Sequence, residues 1–511
     1  MSNTSAILFI LIACLAFTYI ARADWRWMIA LALFATNTYF QLTFKIYTHE
    51  VFLVIAIVCG WLVDAGVKKK SLVSEKIPIL IYFLTVYIVV HLSWSVIEAI
   101  YRGDSGIGTI MRRYVTPLWV LGFGLAYGGS RLGRNPRLAL LIIAAALCFR
   151  LLCLVLTYYF PAQLVVPGIG LVIPSAAGML PEDVRNASVP LALIVATFAF
   201  STRSASILFI SGVVYFLVLY ATLLSGGRVA TMQLCLIILA WLILKRKYFV
   251  LLLSVATVPL FIAAINIAPN AVEKLDPGVQ RALSSFVFSY GAVSAHERTV
   301  DSNTYHEELR TIALEKWLES PLSFLVGNPI QQFDETYYSF ILGNISIQQT
   351  IELSVEAGMY ETAFHMILGV QGGVGFVLYL GLLIALVIPP WRYMRGGYHD
   401  VTAAGLCFAA VTSILLWLMF GWLSGGYPTW EIVFGLIANS GIREVSRRSL
   451  VSMVAPSLRW KDSILLPESF RSRVCSERKS SLNLFESACQ GLSVRRGGAF
   501  SRENRPGSDH I

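Results

Sequence analysis

The sequence predicts an all-α polytopic membrane protein, and three observations carry that prediction. Apolar runs of about 20 residues, each long enough to span a bilayer, recur from Ser5 to Ile442. Only 14% of the 511 residues are charged and 56% are hydrophobic, against about 25% charged in an ordinary soluble domain. Basic clusters fall in the short turns between the runs, as the positive-inside rule requires. The runs are continuous rather than alternating, which argues against a β-barrel. The chain therefore divides into a transmembrane domain over 1–442, a long polar loop inserted at 269–360, and a basic tail over 443–511.

In chain order, spans are expected near 5–20, 27–44, 50–67, 77–96, 113–129, 138–160, 187–201, 205–224, 229–244, 248–267, 362–388, 400–424 and 428–442. The first ends in Ala21-Arg22-Ala23, which faintly resembles a signal-peptidase site, but nothing basic precedes it. It reads as an uncleaved helix, since cleavage would place Lys68-Lys69-Lys70 outside. The clusters at 68–70, 131–137, 245–247 and 391–395, with the tail from Arg443, share the cytoplasmic side; the loops 161–186 and 269–360 then lie outside. The net charge of +10 follows this distribution and gives no sign of nucleic-acid binding. The eight cysteines have no metal-type spacing, and six sit in apolar spans as small packing residues. The Ser-, Arg- and Gly-rich tail is expected to be disordered, either solvated or touching anionic lipid. Inside the long loop, Asp301 to Ser320 reads as an amphipathic helix. Ser302 or Asn303 would cap it, Tyr305, Leu309, Ala313 and Trp317 form its apolar stripe, and Pro321 ends it.

Two arginines and a histidine gather around that loop. Arg228 follows Ser225-Gly226-Gly227 at the outer face; the glycines let a ligand approach and the guanidinium fork suits phosphate. The alternative is an arginine that snorkels to headgroups. Arg310 lies inside the loop, four residues after His306 and so on a neighbouring helix face. His365 stands where the chain re-enters the membrane; it is either a packing residue or a proton-transfer group. Arg150 sits mid-span, where a charge marks a cavity or a partner such as Asp64 or a backbone carbonyl. Gly369 to Gly375 looks phosphate-like, but no strand precedes it, so Gly369 and Gly373 read as helix-packing glycines. No HExxH, CxxC, DxD or Walker pattern occurs, so neither a metal nor another cofactor is expected.

In this order, Leu223 to Ala230 around Arg228, then Glu308-Leu309-Arg310, Trp317, Pro321-Leu322 and Gly327-Asn328-Pro329, then His365 with Gly369, Gly372-Gly373 and Gly375, the chain resembles the O-antigen polymerase/ligase superfamily. The match is specific over about 221–388 and extends to the rest by topology. It departs from the family at Gly227, Val229 and Met366, which leans away from the ligase branch. The resemblance implies a GT-C-like membrane glycosyltransferase that inverts configuration without a metal. It would act at the outer face of a bacterial inner membrane on a polyprenyl diphosphate-linked glycan. Arg228, Arg310 and His365 would be catalytic, and Arg150, His306 and Trp317 would bind substrate, with Trp317, Tyr305, Tyr337 and Tyr338 available to stack on sugars. The expected activity is glycan polymerisation in surface-polysaccharide assembly, alongside membrane lipids and other assembly proteins. The alternatives are a ligase that transfers finished glycan to lipid A-core and a transporter of lipid-linked oligosaccharide or solute. No internal repeat is visible, which weakens a transporter built from inverted repeats.

Overall fold

The computed structural model describes residues 26–38, 41–43, 46–60, 78–103, 107–128, 130, 132–159, 183–267, 274–283, 293–330, 347–356, 358, 360, 362–397, 400–421 and 427–454. Residues 1–446 form one compact unit and 447–511 a second. The expected first span, the 68–70 cluster, Tyr337, Tyr338 and the tail beyond residue 454 lie outside the described residues.

The first unit opens with α1 (Trp27–Thr38), a small antiparallel pair β1 (Gln41–Thr43) and β2 (Ile46–Tyr47), and α2 (Thr48–Gly60). Then come α3 (Ile79–Arg102), α4 (Ile107–Tyr127), α5 (Pro136–Tyr159), α6 (Asp183–Phe200), α7 (Ala205–Leu224), α8 (Arg228–Leu244) and α9 (Tyr248–Ile267). The polar loop supplies α10 (Pro277–Leu283), α11 (Val293–Leu318), α12 (Pro321–Val326) and α13 (Ile347–Glu356). The chain ends its described part with α14 (Ala363–Arg395), α15 (Val401–Phe420) and α16 (Thr429–Val454).

Six of these helices, α3, α5, α7, α9, α14 and α15, are long and apolar enough to cross a membrane, and α1, α2, α6 and α8 are shorter apolar helices. This is the make-up of a polytopic helical membrane protein. Burial separates their roles: 78% of the apolar window of α15 is buried against 6% for α9. α15 is thus a central pillar, packed on α14, α6 and α8, whereas α9 leans on α8 with most of its side chains outward. Small residues let the pillar close up on its neighbours. A Cβ at Gly405 would stand 2.9 Å from the Thr197 carbonyl oxygen on α6.

Turn chemistry fixes the direction of the bundle. Lys245, just beyond α8, donates from Nζ to the Phe200 carbonyl at 2.6 Å and lies 4.3 Å from the Phe200 ring centroid. It closes the C-terminal end of α6, where a cation suits the exposed carbonyls. Arg185 sits in the first turn of that 18-residue helix, about 22 Å from Phe200 at 1.5 Å per residue. The Lys245-Arg246-Lys247 turn and the Arg228 turn therefore occupy opposite ends of the bundle.

The most unusual element is α14. Its 33 residues are interrupted at Gly372, whose φ of 65° and ψ of −169° are not helical. Into this break fits the end of α12. Gly327, also at positive φ (80°), lays its backbone against Val370 and Gly372 so closely that a Cβ on either glycine would overlap the other segment. Breaking a helix leaves carbonyls without partners, and in an apolar interior each must find a donor. Asn328 N donates to the Gly369 oxygen at 3.0 Å, and the Tyr87 hydroxyl donates to the Gln371 oxygen at 2.5 Å. The Val326 oxygen at the end of α12 contacts His91 Nε2 at 3.1 Å.

Several sequence expectations shift. The second span stops at Thr38, where Thr36-Asn37-Thr38 lowers helix preference before the strand pair. The spans begun at 113 and 187 start earlier, at Ile107 and Asp183, and the last runs on to Val454. The loop helix starts at Val293 rather than Asp301, so Ser302 and Asn303 lie inside it and do not cap it. Its expected stripe is real: Leu309 and Ala313 are fully buried. Pro321 opens the next helix, with Ser320 as its cap.

Candidate functional site

The site is assembled around the turn between α7 and α8. Gly226 takes a left-handed φ of 66°, which reverses the chain after Ser225, and Gly227 precedes Arg228 at the first position of α8. Gly227 also makes room for a second cation. Arg185, in the first turn of α6, runs its stem across that glycine, and a Cβ there would meet Arg185 Cδ at 2.9 Å. Arg185 Nη2 then donates to the Ser225 carbonyl at 3.0 Å. The Arg185 guanidinium is thereby anchored on the turn that leads into Arg228.

A third comes from the polar loop. α10 is started by Asp276, whose carboxylate accepts from Gly278 N at 2.9 Å. Gly278 packs its bare backbone on the Leu224 carbonyl at the end of α7, where any Cβ would overlap. Arg281 follows three residues later, in the last turn of α10. The fourth cation is Arg310 on α11, whose Nε donates to the His306 carbonyl at 3.1 Å, one turn back.

His306 is the point where these charges meet. Burial pushes its imidazole down to about 4, and the guanidiniums of Arg310, Arg228, Arg281 and Arg185 push in the same direction. The ring is therefore neutral at physiological pH, inside a field made by four arginines. Arg310 acts on a second imidazole as well, that of His365. His365 lies in the first turn of α14, where Thr362 caps the helix and its hydroxyl oxygen contacts His365 Nδ1 at 2.6 Å. Thr362 thus engages Nδ1 of this half-buried ring.

Three helix N-termini, those of α6, α8 and α14, carry these groups. The positive ends of the α6 and α8 dipoles add to the charge of the side chains, whereas at α14 the Ala363 and His365 N–H groups are taken by the Gly421 carbonyl and the Thr362 hydroxyl. The arrangement is a cluster of cations at one end of an apolar bundle, with the charge to suit an anion of more than one charge.

Of the residues marked from sequence, Arg228, Arg310, His306 and His365 are brought into one electrostatic neighbourhood. Arg150 is buried on α5 and is not among the charges that act on His306. Trp317 is occupied in packing: its indole N–H donates to the Phe324 carbonyl at 2.9 Å, and its ring stacks on Phe324 with centroids 5.0 Å apart. It clamps α11 to α12. Tyr305 likewise ties α11 to α13, its hydroxyl 2.9 Å from Ser354 Oγ. Sequence reasoning passed over Arg185, Arg281 and Thr362. The first two carried the signal that marked Arg228, a cation in a segment assigned to the side where cations are disfavoured. Thr362 carried none, because a threonine before a helix is first of all a cap.

No protein-family model matches this chain, and no curated protein matches it.

Proposed function

We propose that the chain is a membrane glycosyltransferase that extends or transfers a glycan carried on a polyprenyl diphosphate, in bacterial surface-polysaccharide assembly at the outer face of the inner membrane. The observation that carries this reading is the set of four arginines acting on one histidine, two of them at the N-terminal ends of apolar helices, with a second histidine acted on by one of the four. In the reaction, an acceptor hydroxyl oxygen bonds to the anomeric carbon of the donor as the bond from that carbon to the phosphate oxygen breaks. Negative charge grows on the departing lipid diphosphate. Arg228 and Arg310, with Arg185 and Arg281 beside them, are placed to hold that charge, the electrostatic stabilisation that supplies most of the rate in such steps. His365 takes the acceptor's proton on Nε2, and Thr362 presents that nitrogen when Nδ1–H is donated to its hydroxyl. The lipid tail stays among the exposed apolar side chains of the bundle. Polymerisation is favoured over transfer to lipid A-core by the departures from the ligase pattern at Gly227, Val229 and Met366.

The test is purified protein in detergent with a polyprenyl diphosphate-linked glycan. Wild type should form longer products, and Arg228→Ala and Arg310→Ala should each lose at least ~100-fold, the range found on removing a charge-stabilising donor. His365→Ala should lose turnover while keeping anion binding. A transporter would form no glycosidic bond in detergent, and a ligase would act only once lipid A-core is added. Full turnover in Arg228→Ala would overturn the site assignment.

A further inference from the structure

α12 belongs to the polar loop, yet it is short, apolar and poorly covered. Leu322, Phe324 and Leu325 on it are exposed, and so is Leu318 just before it. We propose that this elbow is a re-entrant membrane element, with Leu318, Leu322, Phe324 and Leu325 seated among the acyl chains that surround α3 and α14. The partner is bilayer lipid, and the insertion does not depend on the reaction proposed above.

The level at which α12 docks is the first support. Its last carbonyl, that of Val326, accepts from His91 Nε2 at 3.1 Å, and His91 stands in the middle of the 24-residue α3. Two residues on, Asn328 N donates to the Gly369 oxygen inside α14. α3 and α14 run antiparallel: a Cβ at Gly381 would meet Leu80 at 3.6 Å, and one at Gly375 would meet Tyr87 at 3.1 Å. On one side of the docking point the two helices present Val86 and Val377 as exposed apolar side chains, and on the other Ile97 and Phe364. α12 therefore lies within the apolar belt of two helices that are long and apolar enough to cross a membrane, and its own exposed side chains continue that belt.

The backbone of α12 is the second support. A short helix in water leaves its end groups to solvent, whereas one among acyl chains must satisfy them within the protein. Ser323 N donates to Ser320 Oγ at 3.0 Å, and Gly327 N donates to the Ser323 oxygen at 2.9 Å. The Phe324 oxygen accepts the Trp317 indole N–H at 2.9 Å, and the Val326 oxygen accepts from His91. The irregular backbone at Gly327 is covered by Val370 and Gly372 of α14, the condition under which non-helical chain is tolerated at membrane depth. Glu315 and Glu319, both exposed, mark where the inserted part begins. Trp317 lies between them, a residue type enriched where bilayer meets water. The six residues of α12 extend about 9 Å at 1.5 Å per residue, which fits the ~5–10 Å to which an apolar helix face enters a leaflet.

The experiment uses the full chain, with its eight cysteines replaced, in phosphatidylcholine–phosphatidylglycerol vesicles. One nitroxide at a time is attached at Leu322→Cys, Leu325→Cys, Val377→Cys or Glu315→Cys. Collision with oxygen, which dissolves in acyl chains, is compared with collision with a water-soluble nickel chelate. We expect the oxygen-to-nickel ratio at Leu322 and Leu325 to match that at Val377 and to exceed that at Glu315 severalfold. A ratio at Leu322 and Leu325 as low as that at Glu315 overturns the insertion. Collision with neither reagent means that protein covers the elbow, and overturns it as well. An aqueous ratio at Val377 removes the belt and the inference with it. A second measurement needs no label. Leu322→Asp should melt well below Leu322→Ala in the same vesicles, because a charge among acyl chains is costly. Equal melting temperatures place Leu322 in water and overturn the proposal.

Discussion

Gly372 shows how much a single residue decides here. Its φ of 65° is open to glycine and strained for other residues, and a Cβ would press on Gly327 N and the Leu325 oxygen. Gly372→Ala should cost about 2–4 kcal/mol from backbone strain and overlap together, read as loss of monodisperse protein on size-exclusion chromatography. Gly373→Ala, where a Cβ would lie 3.2 Å from the Phe324 oxygen, should be far milder. His306 gives a second residue-level expectation. Its folded pKa is lowered to about 4 from the ordinary value of 6.5. As pH falls below 6.5 the unfolded chain gains the proton first, so stability drops between pH 6.5 and 4 and levels off below. His306→Gln should flatten that part of a melting-temperature profile. Of the three arginines marked from sequence, Arg228 stood out because a cation at the outer face stands against the charge rule, Arg150 because it falls mid-span, and Arg310 only through the order of motifs around the loop. The convergence of Arg185 and Arg281 on Arg228 and Arg310 was not legible. It depends on Gly227 and Gly278 lacking side chains at two crossings, and a sequence shows the glycines without showing what crosses them.

At the level of elements, apolar run length was a good guide to existence and a poor one to ends. The spans at 205–224 and 248–267 coincide with the observed helices because polar turns bound them on both sides. α11 begins eight residues early because Val293 to Val300 has no helix breaker, whatever its polarity. The break in α14 was hidden: Gly369, Gly372, Gly373 and Gly375 suit close helix packing equally well, and only the docking of α12 decides which one bends. That docking is testable. Trp317→Phe keeps the stack on Phe324 but removes the bond to its carbonyl, and should cost about 1 kcal/mol. Trp317→Ala should cost more, with no change in which glycan is accepted. A sugar-stacking role would instead show as altered substrate preference in Trp317→Phe at unchanged stability.

Over the whole molecule, the basic turn at Lys245 and the arginine cluster sit at opposite ends of the bundle. If the positive-inside rule sets the turn in the cytoplasm, as proposed, the arginine cluster faces outward. A cysteine placed at 310 in an otherwise cysteine-free chain should react with a membrane-impermeant maleimide added outside intact spheroplasts, and one placed at Arg246 should not. The reverse pattern would invert the topology. The severed helix adds a mechanical consequence. Asn328 of the loop, Tyr87 of α3 and the Gly421 carbonyl beyond α15 all bond to the short segment bearing His365, so it is fastened on three sides as well as to the long half of α14. A segment tied to three neighbours and joined to the rest of α14 through a glycine should hold its imidazole in register even where the longer half of that helix shifts.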